Sequence, residues 1–227
     1  METKVKVLGI SGSPIRNGNT DVFLKECLKA AEEIKGVTTE MIGLAKKDVK
    51  DCSHCNWCVT KQTEGKFCSI KDDMVDIFPK LLEADGFLVA TPVYISRLSG
   101  YLANFFDRVR CLAHGCHYRG RLANKPGGAL SVIWYRNSGA ETALLSVIGG
   151  FLTFNMLPVG AGLGGQWGAA AMSSLHGIGE FDPKDKLGVL KDEYGLVAGR
   201  TVARRVAVIA KALKASHPIL AEIHSEE

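Results

Sequence analysis

Gly9-Ile10-Ser11-Gly12-Ser13-Pro14-Ile15-Arg16-Asn17-Gly18-Asn19-Thr20 is a glycine- and hydroxyl-rich loop around which the rest of the chain is organised. Before it, Lys4-Val5-Lys6-Val7-Leu8 alternates and is β-branched enough to predict a strand. After it, Phe23, Leu24, Cys27, Leu28, Ala31 and Ile34 recur at helical spacing. The loop therefore carries the chain from the carboxyl end of a strand to the amino end of a helix. A helix start presents unpaired N–H groups and the positive end of the dipole, which together suit a phosphate. Ser11, Ser13 and Thr20 offer hydroxyls, Asn19 an amide and Arg16 a guanidinium. The alternative is a plain strand–helix turn, with glycines for tight geometry and hydroxyls for capping. No lysine stands beside Gly12 or Gly18, as a nucleoside-triphosphate loop requires, and Gly9 and Gly12 are spaced wrongly for G-x-G-x-x-G. A terminal monophosphate suits this loop better.

Working outward, Val37 to Leu44 predicts a second strand, and a polar segment over 45–72 is too long for an ordinary connection. Asp73 opens a helix through Met74, Ile77, Phe78 and Leu81, with Pro79 out of place in it. Gly86 to Ala90 is wholly apolar, as a strand covered on both faces of a parallel sheet should be. A helix carrying Leu98, Leu102, Phe105 and Val109 precedes a fourth strand, Gly128 to Trp134, and a helix from Ala140 to Asn155. Met156 to Gly160 predicts the fifth strand, at an edge because of Pro158. The Gly-rich stretch that follows, to residue 192, predicts irregular chain, and Leu196 to Leu213 the last helix. Five strands alternating with helices predict a doubly wound parallel α/β sheet, order 2-1-3-4-5. We expect one domain over 1–227, with a cysteine-rich insertion at 45–72 and a Gly-rich segment at 160–192.

In that strand order a ligand sits at the switch point between the first and third strands, where flavodoxin holds FMN. The loop after the third strand supplies Pro92 for stiffness and Tyr94 for a flat face or a hydroxyl. After the fourth strand, Arg136 places positive charge where a reduced flavin gathers negative charge, and Asn137, Ser138 and Gly139 supply donors. Without the phosphate loop these two stretches read equally as a strand end and an exposed helix start. Gly160-Ala161-Gly162-Leu163-Gly164-Gly165 matches G-x-G-x-x-G, but no βαβ unit continues from it, so a flap is the better reading.

The sharpest local pattern is Cys52-x2-Cys55-x2-Cys58-x9-Cys68. Three cysteines at steps of three let one tight loop reach three corners of a [4Fe–4S] cube, and a later cysteine reaches the fourth. A zinc site usually draws two separated pairs. Reduced structural thiols, or a site that has lost its cluster, are the alternatives. The other three of the seven cysteines are scattered, with Cys27 and Cys111 placed as small core residues on helices.

Composition bounds the rest. At 46% hydrophobic and 23% charged the chain is ordinary for a globular protein, and no apolar run approaches ~18 residues. The start leads straight into a strand, so cytoplasmic residence without a signal peptide is expected. A net charge of +4 without a Lys/Arg run argues against nucleic acid and against a carrier with a strongly signed docking face.

Gly9-Ile-Ser-Gly-Ser-Pro-x-x-x-Gly-Asn-Thr20, the cysteine segment running into Lys71-Asp72-Asp73-Met74, Thr91-Pro92-Val93-Tyr94, and Arg136-Asn137-x-Gly139-x-Glu141 together resemble the NADPH-dependent FMN reductase family. Within it they are most similar to the iron–sulfur flavoprotein branch. The resemblance covers residues ~4–160 and implies a flavodoxin-like fold, non-covalent FMN, and a homodimer or homotetramer with flavin near an interface. By position it implies Ser11, Ser13, Asn19 and Thr20 on the phosphate with Arg16 assisting. It also implies Pro92, Val93, Tyr94 and the 136–139 loop on the ring. The gap of nine before Cys68 is longer than is usual for the branch. The expected activity is an FMN oxidoreductase that takes electrons from NAD(P)H, or from ferredoxin if a cluster is held. It passes them to a quinone, flavin or other small acceptor. A non-enzymatic electron-transfer flavoprotein is the alternative.

Overall fold

The computed structural model describes residues 3–216. Its sheet is parallel throughout. Strands β1 (Val5–Ser11), β2 (Val37–Gly43), β3 (Gly86–Pro92), β4 (Pro126–Ile133) and β5 (Leu157–Pro158) lie in the order β2-β1-β3-β4-β5. This is the expected doubly wound, flavodoxin-like order. β3 and β4 are buried along their whole length, which explains why their sequences do not alternate.

One helical layer covers each face. Helices α1 (Asn19–Glu32) and α6 (Glu193–Ala215) lie on one side, where Phe23 and Leu24 of α1 and Val202 and Val206 of α6 close over Val7, Leu88 and Leu130. On the other side, α3 (Met74–Glu83), α4 (Gly100–His114) and α5 (Ala140–Thr153) bury Phe78, Leu102, Phe105 and Phe151 against Ile10 and Val89. Burying each such side chain contributes about 1.5–3 kcal/mol. Pro79 sits inside α3, where it cannot donate to the Val75 carbonyl, on a turn whose Val75 is 52% exposed.

One expectation needs correction. The fifth-strand position is shared: β5 pairs only with Pro126 and Gly127, while β6 (Ala169–Met172), inside the segment expected to be irregular, pairs with Leu130 to Ile133. Pro158 ends β5 early, and the upper half of β4 takes its neighbour from farther along the chain. The cysteine segment also contains a short helix, α2 (Trp57–Lys61). Among the described residues no helix is long and apolar enough to cross a membrane.

Candidate functional site

The carboxyl ends of β1 and β3 are neighbours at the point where strand order reverses. The loop leaving β1 winds around an acid that sequence reading passed over. Asp21, 5% exposed, accepts from the Ser11 hydroxyl at 2.6 Å through one oxygen and from the Asn17 N–H at 2.8 Å through the other. Ser11 is fully buried and therefore serves the loop from within. The Ser13 hydroxyl lies 3.1 Å from both the N–H and the carbonyl of Ile15. Asn19 reaches sideways, donating to the Lys186 carbonyl at 2.9 Å and accepting from Val189 N–H at 3.0 Å, so it ties down the Gly-rich segment. Exposed Arg16 donates through Nε to the Ala45 carbonyl. Thr20 differs from these. It is 3% exposed, and its hydroxyl makes no hydrogen bond among the described residues. Gly18 caps α1 without a side-chain bond, leaving the first-turn N–H groups open to an anion.

The loop leaving β3 begins at buried Pro92, and Val93 N–H donates to the Val132 carbonyl at 2.9 Å. Tyr94 and Arg97 then exchange backbone hydrogen bonds at 3.1 and 3.2 Å across a tight turn. Ile95 (φ 49) and Ser96 (φ 57) occupy its two left-handed positions. A β-branched residue there is strained, and such strain collects at ligand clamps. Tyr94 is 46% exposed beside it.

Two close approaches join these loops. Ser99 caps α4 by accepting from Leu102 N–H and donates to the Gly12 carbonyl at 2.6 Å. A Cβ on Gly12 would lie 2.7 Å from Leu102 Cβ, so only glycine fits. Gly139, at φ +91, starts α5, and a Cβ there would lie 2.6 Å from Ser96 Cα. The loop after β4 is thus pressed against the turn after β3. Arg136 and Asn137 are exposed on it, while Arg136 N–H donates to Gly177 and Trp134 Nε1 to Glu180, both in the Gly-rich segment. The three loops chosen from sequence form one edge.

The cysteine segment lies farther down α4. Asp72 and Asp73 clamp its start, accepting from Lys50 N–H at 3.0 Å and Asp48 N–H at 2.9 Å. Gln62, 5% exposed, clamps its far end: it donates to the carbonyls of Phe67 and Cys111 and accepts from the N–H groups of His117 and Tyr118. Between these clamps His54 and Asn56 take left-handed conformations on either side of Cys55. Cys52, Cys55, Cys58 and Cys68 line one small cavity, with Arg108, Arg110 and Cys111 on its α4 wall. Cys111 therefore belongs to this site's surroundings, a placement that its position in the sequence did not suggest. The Ser69 hydroxyl, 3.3 Å away, and then the Trp57 N–H hold the Cys55 thiol below its usual pKa. Burial pushes Cys58 and Cys111 up.

Among the described residues no three of His, Cys, Asp or Glu converge on a single metal position. The candidate donors are all cysteine sulfurs, the choice for an iron–sulfur cube, whose ligands sit on four separate irons rather than on one. It fits that group in chemistry and topology. A cleft of about 460 Å³ reaches the cavity at Cys52, and one of about 480 Å³ reaches it at Cys68. Along α4, Arg108 lies roughly 14 Å from the Ser99 cap at 1.5 Å per residue. One helix thus spans from the sheet edge to the thiols.

The strand order and the loops gathered at its switch point define a flavodoxin-like fold. More narrowly, the chain belongs to the NADPH-dependent FMN reductase family, whose model matches residues 5–167. It is 37% identical over 210 residues to an iron–sulfur flavoprotein of Methanocaldococcus jannaschii, covering 92% of this chain and 100% of that one. An NAD(P)H dehydrogenase (quinone) of Afipia carboxidovorans is 32% identical over 136 residues, 59% of this chain and 66% of that one. Among solved structures, RosB with a bound 8-demethyl-8-formylriboflavin-5'-phosphate intermediate shares the fold, with TM-score 0.72 at 14% identity, covering 98% of this chain and 88% of that one. The protein is an FMN-dependent oxidoreductase of the iron–sulfur flavoprotein branch.

Proposed function

We propose that this protein takes a hydride from NAD(P)H onto FMN held at the sheet edge and delivers the electrons to a quinone or other small acceptor. The observation that carries this reading is the junction of the three loops, through Ser99 on Gly12 and Gly139 on Ser96. The α1 N-terminus, Ser13 and Thr20 hold the phosphate, and Arg16 stands at its outer side. Ser11 and Asn19 act through the loop's shape, because their side chains are already committed to Asp21 and to the 186–189 segment. Pro92, Val93 and Tyr94 form one wall for the ring, and Arg136, Asn137 and Gly139 another. When bound, the flavin supplies the hydride and electron chemistry, so no side chain is needed as a general acid or base.

We further propose that Cys52, Cys55, Cys58 and Cys68 hold a [4Fe–4S] cluster, supported by their shared cavity and by the similarity to an iron–sulfur flavoprotein of M. jannaschii. The seven free thiols suit a cytoplasmic setting. Exposed Trp134, Tyr135, Ile178 and Phe181 beside the ring loops suit a homodimer or homotetramer. Anaerobic stopped-flow with the FMN-loaded protein tests the activity. NADPH or NADH should bleach the flavin band, and a quinone should restore it. Bleaching only by reduced ferredoxin would favour an electron carrier instead.

A further inference from the structure

Arg108 is the feature that the flavin reading does not absorb. It lies on α4 with its side chain 1% exposed, as deeply buried as the core phenylalanines. Its two terminal nitrogens are spoken for. Nη1 meets Asp72 Oδ2 and donates to the Lys50 carbonyl at 3.1 Å, and Nη2 donates to Asp72 Oδ1 at 3.2 Å. Its Nε has no acceptor among the described residues. A buried N–H without a partner is costly and rare, so an acceptor missing from the protein alone should come from what occupies the adjoining space. That space is the four-cysteine cavity, because Arg108 lines it. Asp72 does not line it; it lines the adjoining cleft that meets the cavity at Cys68. Of the pair, Arg108 is therefore the member on the wall of the four-cysteine cavity. The other charged groups on the cavity wall are Asp107 and Arg110; Arg110 lies 4.0 Å from the Cys58 sulfur and donates to Asn56 Oδ1.

We propose that Arg108 is the positioning donor of the cluster site: its Nε–H is kept for a sulfur in the four-cysteine cavity, and the Arg108–Asp72 pair sets the cluster's reduction potential. This rests on the reading that the four cysteines hold a [4Fe–4S] cluster. The step concerned is a one-electron reduction in which no bond forms or breaks and no proton moves. The added electron raises the negative charge on the sulfurs. A buried cationic donor facing them stabilises the reduced form and raises the potential, whereas Asp72 behind it tempers that effect.

The test uses protein reconstituted anaerobically with iron and sulfide and loaded with FMN, titrated with dithionite and followed by the electron paramagnetic resonance of the reduced cluster. Arg108→Gln should shift the reduced-to-oxidised ratio at a given potential about tenfold toward oxidised, which is about 59 mV for a one-electron couple. Asp72→Asn keeps the guanidinium and removes its counter-charge, so it should shift the ratio the opposite way. Arg108→Lys keeps the charge but has no Nε, and should fall between Arg108→Gln and the wild type. If Arg108→Gln does not accumulate as folded protein, the opposite signs of Arg108→Lys and Asp72→Asn carry the test. Variants that lose melting temperature but leave the potential unmoved, or that move it in one direction together, would assign Arg108 to structure alone and overturn the proposal. Wild-type protein that takes up no iron or sulfide would instead overturn the cluster reading beneath it.

Discussion

Thr20→Val separates the phosphate from the rest of the cofactor. The substitution keeps the methyl and the volume and removes only the hydroxyl, and valine and threonine have similar helix propensities. Because the Thr20 hydroxyl bonds to nothing else among the described residues, its loss leaves no protein group unpaired. Folding stability should therefore change by less than about 1 kcal/mol, a melting shift of roughly 2–4 °C at most for a chain of this size. A hydrogen bond from that hydroxyl to a dianionic phosphate contributes about 1.5–3 kcal/mol, so FMN should bind roughly 10- to 150-fold more weakly. Riboflavin, which has no phosphate, should be held as before. The assay is quenching of flavin fluorescence on titration with apoprotein, run for both ligands. Equal losses for FMN and riboflavin, or an unchanged FMN affinity, would refute the placement of the phosphate at α1.

Gly139→Ala should give the converse pattern, weakening riboflavin and FMN together, since a left-handed alanine costs about 1–2 kcal/mol and its Cβ would drive Ser96 away. Preserved affinity for both would show that the ring lies elsewhere. Cys58→Ser should abolish bound iron while FMN stays. Cys27→Ala, in the core under α1 and away from the thiol cavity, should leave iron in place. Lys125 donates to the carbonyls of Leu81 and Leu82 at the end of α3, and burial pushes its pKa down to about 8. The unfolded chain keeps that proton until near pH 10.5, so it binds more protons between about pH 8 and 10.5. Stability should rise with pH there, by up to ~1.4 kcal/mol per unit from this group. Denaturant melts at pH 8 and 10 should show that rise reduced in Lys125→Met; identical slopes would count against it.

Much of the edge was legible because it depends on local pattern. A β-branched run into a hydroxyl-rich loop, an all-apolar third strand and closely spaced cysteines each state their physics within a dozen residues. What escaped depends on long-range pairing. Ala169-Ala170-Ala171-Met172 has no strand propensity to speak of, and only an unpaired stretch of β4 makes it a strand. Arg108 looks like a solvated helix charge until Asp72, 36 residues earlier, is folded against it. Asp21 reads as an ordinary first-turn acid, yet it organises the loop. Ser11 and Asn19 have the right chemistry for a phosphate, and only the fold shows that they also bond to Asp21 and to the 186–189 segment. Cys111 is the buried helix residue its sequence suggests, and only the third dimension also sets it on the wall of the thiol cavity.

A chain that holds a flavin at its sheet edge and an iron–sulfur cube farther along α4 carries both groups at once. The most direct measurement is the content of FMN, iron and acid-labile sulfide in protein purified without oxygen. About one FMN, four irons and four sulfides per chain are expected, the composition of one [4Fe–4S] cube beside one flavin. FMN at full occupancy with no iron would contradict it, leaving the four cysteines as structural thiols.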